Sequence, residues 1–141
     1  MIENREHGRA PAEWWAMTID CIGPHIMADF YVALLDFYVA LLGGKVVRRT
    51  ADDASIDANG LLLNFRATPD YRPPTWPSSD VPLHSHFEFV VDDPDAVAQQ
   101  VLTLGGQLAQ HQDPDDPHLV VVLDPSGHPL CLIRSSVAQR F

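Results

Sequence analysis

Positive charge is scarce in this chain. Nine Lys and Arg stand against nineteen Asp and Glu, a formal net charge of −10 over 141 residues. Nucleic acid and anionic membrane surfaces would repel such a chain, so neither is expected as a partner. Cysteine is equally sparse, with only Cys21 and Cys131. No apolar run approaches the length of a bilayer span. The opening residues MIENREHGRAPAE hold no apolar stretch of the kind that marks a secretory leader. Residues 1–13 therefore read as a flexible tail, and a cytoplasmic location with both thiols free is expected.

What remains is ordinary for a globular protein: 46% apolar and 20% charged residues, enough chain for one domain with a real core. Hydrophobic period and chain breakers give the elements. Trp15 to Cys21 reads as a strand, Pro24 to Leu42 as a helix stopped by Gly43-Gly44, and Lys45 to Arg49 as a strand. Ser55 to Asp57 is a short strand, Asn59-Gly60 a hairpin turn, and Leu61 to Ala67 a strand. A proline-rich stretch, Thr68 to Pro82, follows. The order then repeats: a strand over His84 to Val91, a helix over Pro94 to Leu104 stopped by Gly105-Gly106, and strands over Gln107 to His111, His118 to Leu123 and Pro129 to Arg134. LLGGKVV parallels LGGQLA, and DANGLLLNF parallels DPSGHPLCLI. Agreement of order and punctuation makes this a duplication. The units are half-repeats over about 14–67 and 83–135, joined by a linker over 68–82, within one domain over 14–141.

One feature breaks the symmetry. DFYVALL at Asp29 to Leu35 recurs intact at Asp36 to Leu42. Seven residues turn a helix to within about 20° of two full turns, so the insertion keeps the stripe of Phe30, Leu34, Phe37 and Leu41 on one side. One continuous helix, two turns longer than its partner, is predicted. Its extra turns would expose aromatic and Leu side chains, at roughly 1.5–3 kcal/mol each. A partner chain, or the N-terminal tail with Trp14 and Trp15, should cover that surface, and a homodimer is expected, with exchange of half-repeats one way to build it.

The segments TIDC, FYVALLGGKVVRR, PDYRPPTWP, HFEFVVDD and LDPSGHPLCLI, in this order, resemble the glyoxalase-like subgroup of the vicinal-oxygen-chelate superfamily, with the bleomycin-resistance proteins and dioxygenases. The resemblance implies an α+β fold in which two βαβββ half-repeats form a cup-shaped mixed sheet with helices on its outer face. Strand alternation then turns Ala16, Thr18, Asp20, Leu62, Asn64, Arg66, His84, His86, Glu88, Cys131 and Ile133 into the cup. Phe87, Phe89, Leu61, Leu63 and Phe65 face the helices. The resemblance also implies metal ligands on the first, fourth, fifth and eighth strands. Those positions hold Ala16, a residue near Asn64, His86 and Cys131 here. Only His86 is a ligand of the family's kind, although Cys131 suits a softer ion. No metal or other cofactor is therefore expected.

The expected function is binding of a small organic ligand in the cup. Asp20, Asn64, Arg66, His84, His86, Glu88 and Cys131 would supply contacts, with Tyr71 and Trp76 of the linker as a lid. The linker is equally open to reading as a plain rigid connector. An Asp20–Arg66 ion pair and a Cys131 nucleophile activated by His86 are further options. The alternative function is a lyase or isomerase with Glu88 or His86 as base, with or without a metal. A module without a ligand is the third possibility.

Overall fold

A computed structural model describes residues 11–38, 45–58 and 60–138. The first half-repeat consists of β1 (Met17–Cys21), α1 (Pro24–Tyr38), β2 (Lys45–Arg49), β3 (Asp53–Ala58) and β4 (Leu61–Ala67). The second consists of β5 (Phe87–Val91), α2 (Pro94–Thr103), β6 (Gln107–Leu108), β7 (Leu119–Leu123) and β8 (Pro129–Arg134). Each half is an open four-stranded mixed sheet, ordered β1-β4-β3-β2 and β5-β8-β7-β6. The outer pairs β1/β4 and β5/β8 are parallel and the remaining pairs antiparallel. This is the α+β double βαβββ architecture that the repeat predicts.

Each sheet buries one face against its helix. Cys21, Ala54, Ile56, Leu63 and Phe65 do so in the first half, and Val91, Val122, Leu130 and Leu132 in the second. These residues alternate along their strands, so the intervening residues fall on the face that no helix covers. Tyr31 of α1 joins the halves: its ring stacks on Phe65 at 5.4 Å and meets Phe87 edge-on at 5.5 Å.

Several boundaries differ from those read in the sequence, for local reasons. The strand expected from His84 begins only at Phe87, whose ladder partner is Leu130. The residue before Leu130 is Pro129, which has no N–H to offer a parallel neighbour, so His84 to His86 precede the ladder. β6 has two residues rather than five because Gln112 substitutes for backbone. Its side chain donates to the carbonyl of Val121 at 2.7 Å and accepts from the Val121 N–H at 2.9 Å. The Gly105-Gly106 stop has a steric basis. Gly105 sits at φ +97°, and a Cβ on Gly106 would lie 2.5 Å from both the Leu123 carbonyl oxygen and Val101 Cγ1. Asp93 caps α2 by accepting from the Ala96 N–H.

α1 runs unbroken through the Leu35–Asp36 junction of the duplicated heptad to Tyr38. Phe30, Tyr31 and Leu34 of the first copy are buried. The predicted end of the helix at Leu42, its Gly43-Gly44 stop, Asn59 and residues 1–10 of the tail lie outside the described residues. Trp14 and Trp15 do not fold back over the body, with 86% and 85% of their surface exposed. No helix among the described residues is long and apolar enough to cross a membrane.

Candidate functional site

The helix-free face of the first half-repeat carries a polar lattice. The register places Thr18 beside Asn64 and Asp20 beside Arg66 on β1/β4, and Ser55 beside Asn64 and Asp53 beside Arg66 on β3/β4. Asn64, only 6% exposed, accepts through Oδ1 from the Ser55 hydroxyl at 2.7 Å and from Arg48 at 3.5 Å. That pattern orients its amide nitrogen toward Thr18 Oγ1, 3.4 Å away. Arg66 donates to Asp53 at 2.9 Å, so the ion pair of Arg66 forms with Asp53 rather than with Asp20. The Arg66 hydrogen bond holds the Asp53 carboxyl below the usual carboxylate range, and Asp53 raises Arg66 in return.

Arg48 reaches this face through a break in pairing. Val46 pairs with Ile56, but the next pair is Arg48 with Ser55. Val47 is thus the extra residue of a bulge. In a regular ladder Arg48 would have turned toward the helix. The bulge turns Arg48 to the lattice and Arg49 toward α1, where Arg49 bonds Asp29 and His25.

A second group of polar side chains forms on the other sheet. His86, Glu88 and Cys131 each offer a ligand atom, and the three atoms lie within 4.8 Å of one another. Glu88 and Cys131 are ladder partners, and His86 Nε2 is 3.4 Å from Glu88 Oε2. Burial first, and then the charge of Glu88, push the Cys131 thiol up. A protonated thiol is a poor nucleophile, and the nearby imidazole is paired with Glu88, so the arrangement argues against an activated Cys131. The four-position metal set implied by the family resemblance does not fit these residues. Ala16 has no donor atom, and the Asn64 carbonyl is taken by Ser55 and Arg48. Among the described residues, only His86, Glu88 and Cys131 are grouped so as to hold a cation.

Between the halves lies a buried clasp that the sequence reading missed. The Asp124 carboxylate, 2% exposed, accepts from the Tyr31 hydroxyl at 2.6 Å, from the Ser126 and His128 N–H groups at 2.9 and 3.0 Å, and contacts His128 Nδ1 at 2.8 Å. His128 Nε2 lies 3.0 Å from both the Asp20 carbonyl and the Tyr71 hydroxyl. Burial, then Asp124, raise Tyr31 well above its ordinary value. Burial and the same carboxylate push Cys21 up to about 11. Asp-Pro-Ser-Gly signals a turn, and its Asp does accept from that turn. Nothing in local spacing signals the Tyr31 bond, which spans 93 positions.

The expected site residues thus divide into separate places. Asn64 and Arg66 join the lattice with Ser55, Asp53 and Arg48, which the sequence reading did not single out. His86, Glu88 and Cys131 cluster on the second sheet. Asp20, Tyr71 and His84 line a hollow of about 380 Å³ between β1, the linker and His128. Trp76 is not with them: its ring packs edge-on against His111 at 5.1 Å. The linker is thereby fixed to the second half-repeat by Tyr71 through Ser126 and His128, and by Trp76 through His111.

Solved structures share this fold. A glyoxalase/bleomycin resistance protein from Albidiferax ferrireducens is 16% identical, covers 86% of this chain and 97% of its own, and superposes with a TM-score of 0.55. A bleomycin resistance determinant encoded on transposon Tn5 is 20% identical over 89% of this chain and 100% of its own, at 0.52. The fosfomycin resistance protein FosX of Listeria monocytogenes is 10% identical over 93% and 97%, at 0.61. No curated protein matches the sequence. The family model for the glyoxalase-like domain matches residues 16–133, which takes in the linker, every site residue named above and all but the outer ends of the two half-repeats, and the chain belongs to that family.

Proposed function

We propose that this protein binds a small organic ligand on its helix-free face, without the four-position metal set of its superfamily. The observation that carries this reading is the buried lattice around Asn64. A sheet face that only meets water has no need of a buried amide with hydroxyl and guanidinium partners. The Asn64 amide nitrogen has two hydrogens, and its contact to Thr18 at 3.4 Å is at the weak end of the range. Asn64 also hydrogen-bonds the Asp53 carboxylate, so the hydrogen aimed weakly at Thr18 is the donor left for a ligand acceptor. Arg48 and Arg66 share the Asp53 carboxylate at 4.0 and 2.9 Å, and Asp20, beside Arg66 on the same face, adds a second negative charge. A ligand with a carbonyl, carboxylate or phosphoryl oxygen fits these donors.

The test is a thermal-shift screen of metabolites and antibiotics, with bleomycin and fosfomycin included because proteins of this fold resist them. At least one compound is expected to raise Tm, and Asn64→Leu or Arg66→Met should abolish the shift while circular dichroism stays native. A panel without a stabilising compound, or a hit indifferent to both substitutions, would overturn the reading.

The contact of His86 with Glu88 at 3.4 Å supports a second reading, in which one of the two abstracts a proton from the bound ligand. Turnover of a screened ligand that Glu88→Gln abolishes, with binding retained, would establish it. Unchanged ligand after prolonged incubation would exclude it for that compound.

A further inference from the structure

We propose that the hollow of about 380 Å³ along the free edge of β1 binds a short apolar peptide through the peptide's main chain and terminal carboxylate. The proposal rests on the reading of this protein as a binder of small organic ligands. It draws on different groups, the backbone of β1 and the linker, and not on the side chains of the Asn64 lattice.

β1 is the outermost strand of its sheet and pairs with β4 alone. Backbone groups of successive strand residues point to opposite sides, so alternate residues of an edge strand face outward. The Cys21 carbonyl faces inward and accepts from the Thr68 N–H, just past β4. The Asp20 carbonyl and the Ile22 N–H face outward, to His128 Nε2 at 3.0 Å and Ser126 Oγ at 3.5 Å. Thr18 has the parity of Asp20, and it lines the hollow. Its N–H and carbonyl are therefore open to an extended chain, which an edge strand recognises by main-chain hydrogen bonds. His128 closes this edge at Asp20, so the template is short and suits a short peptide.

Both arms of the linker line the hollow as well, and they are already set. The Thr75 N–H donates to the Val81 carbonyl at 2.9 Å, and the Val81 N–H donates to Thr75 Oγ1 at 2.9 Å. Tyr71 is tied to the Ser126 carbonyl at 3.0 Å. Pro73 sits so close to Gly127 that a Cβ there would lie 2.7 Å from it. A wall fixed before binding avoids the entropy loss of ordering a loose loop. Arg72 stands on this wall. Arg48, Arg49, Arg66 and Arg134 each bond a carboxylate or a carbonyl. Arg72 is the one arginine among the described residues without a partner. In a chain of net charge −10, an unpaired guanidinium at a hollow fits a carboxylate, through two parallel hydrogen bonds. Met17, Ile19 and Leu83 add apolar surface, which selects apolar side chains on the peptide.

The experiment is amide chemical-shift mapping of full-length protein titrated with leucyl-phenylalanine. The same titration is run with its carboxyl amide, with its form N-methylated at the peptide bond, and with an octapeptide ending in the same two residues. Saturable shifts are expected at Thr18 to Asp20, at Arg72 and at Leu83 to Ser85, with a Kd of about 1 mM or tighter. The carboxyl amide and the N-methylated form should each bind at least about 10-fold more weakly. Arg72→Met should weaken the dipeptide by at least about 10-fold and leave its carboxyl amide unchanged. Lys45→Met, which removes a positive charge from β2, should change neither. Both side chains belong to exposed residues, so neither substitution disturbs the core. The octapeptide should bind no tighter than the dipeptide. Absence of saturable shifts, or indifference to Arg72→Met, to loss of the carboxylate or to N-methylation, would overturn the proposal. An octapeptide at least about 10-fold tighter would overturn it in favour of a protein tail. Shifts confined to Asp53 to Ser55 and Asn64 to Arg66 would overturn it while leaving the lattice reading intact. A hollow that binds the dipeptide while the lattice binds nothing in the screen would overturn the lattice reading alone.

Discussion

Replacement of Tyr31 by Phe isolates the clasp between the half-repeats. The ring keeps its stacking on Phe65 and its edge contact with Phe87, so packing is nearly unchanged. What is lost is one hydroxyl that donates at 2.6 Å to a buried carboxylate. A hydrogen bond to a charged group is worth about 1.5–3 kcal/mol net. Asp124 keeps two backbone N–H donors and His128, so it is not left without partners, and the cost falls toward about 1.5–2 kcal/mol. For a chain of this length that is a fall in Tm of about 3–8 °C. Asp124→Ala removes every one of these contacts and strands a buried tyrosine hydroxyl beside His128, with a cost of about 3–5 kcal/mol. Urea denaturation of the wild type, Tyr31→Phe, His128→Gln and the double variant gives the coupling between Tyr31 and His128 through their shared carboxylate. A Tyr31→Phe variant as stable as wild type would refute the claim that this bond holds the halves together.

Gly106→Ala should destabilise by about 1–3 kcal/mol in thermal denaturation, because the new methyl meets the backbone carbonyl of Leu123 at 2.5 Å. The Asp53 carboxyl, lowered by Arg66, contributes stability that is present above the unfolded Asp value of about 3.9 and lost as pH falls through the lower folded value. Carbon-detected NMR titration should place Asp53 below that value in wild type and return it toward normal in Arg66→Met. The proposed homodimer predicts a light-scattering mass of twice the 15.6 kDa chain. A monomeric wild type would refute the assembly.

Much of the fold was legible because it is written twice. The Leu-Gly-Gly stops and the turn before each last strand punctuate both halves, and strand alternation assigned the helix-free face correctly for Asp20, Asn64, Arg66, Glu88 and Cys131. The missing parts depend on contacts that no local pattern encodes. The bulge at Val47 decides which way Arg48 points, yet KVVRR reads as a regular strand. Gln112 ends β6 by standing in for backbone, and Pro129 delays β5 by lacking an N–H. Tyr31 is not on the stripe of Phe30, Leu34, Phe37 and Leu41, and Asp124 only opens a turn signal, so neither points to the other. Their bond exists only because the two half-repeats pack together.

The most direct test of the central claim, that the helix-free face is the binding surface, is amide chemical-shift mapping of metal-free protein with a stabilising compound from the screen. The account predicts perturbations concentrated at Thr18 and Asp20, Asp53 to Ser55, Asn64 to Arg66 and the neighbouring Glu88 and Cys131. Perturbations confined to the exposed sides of α1 and α2, with those strands silent, would contradict it.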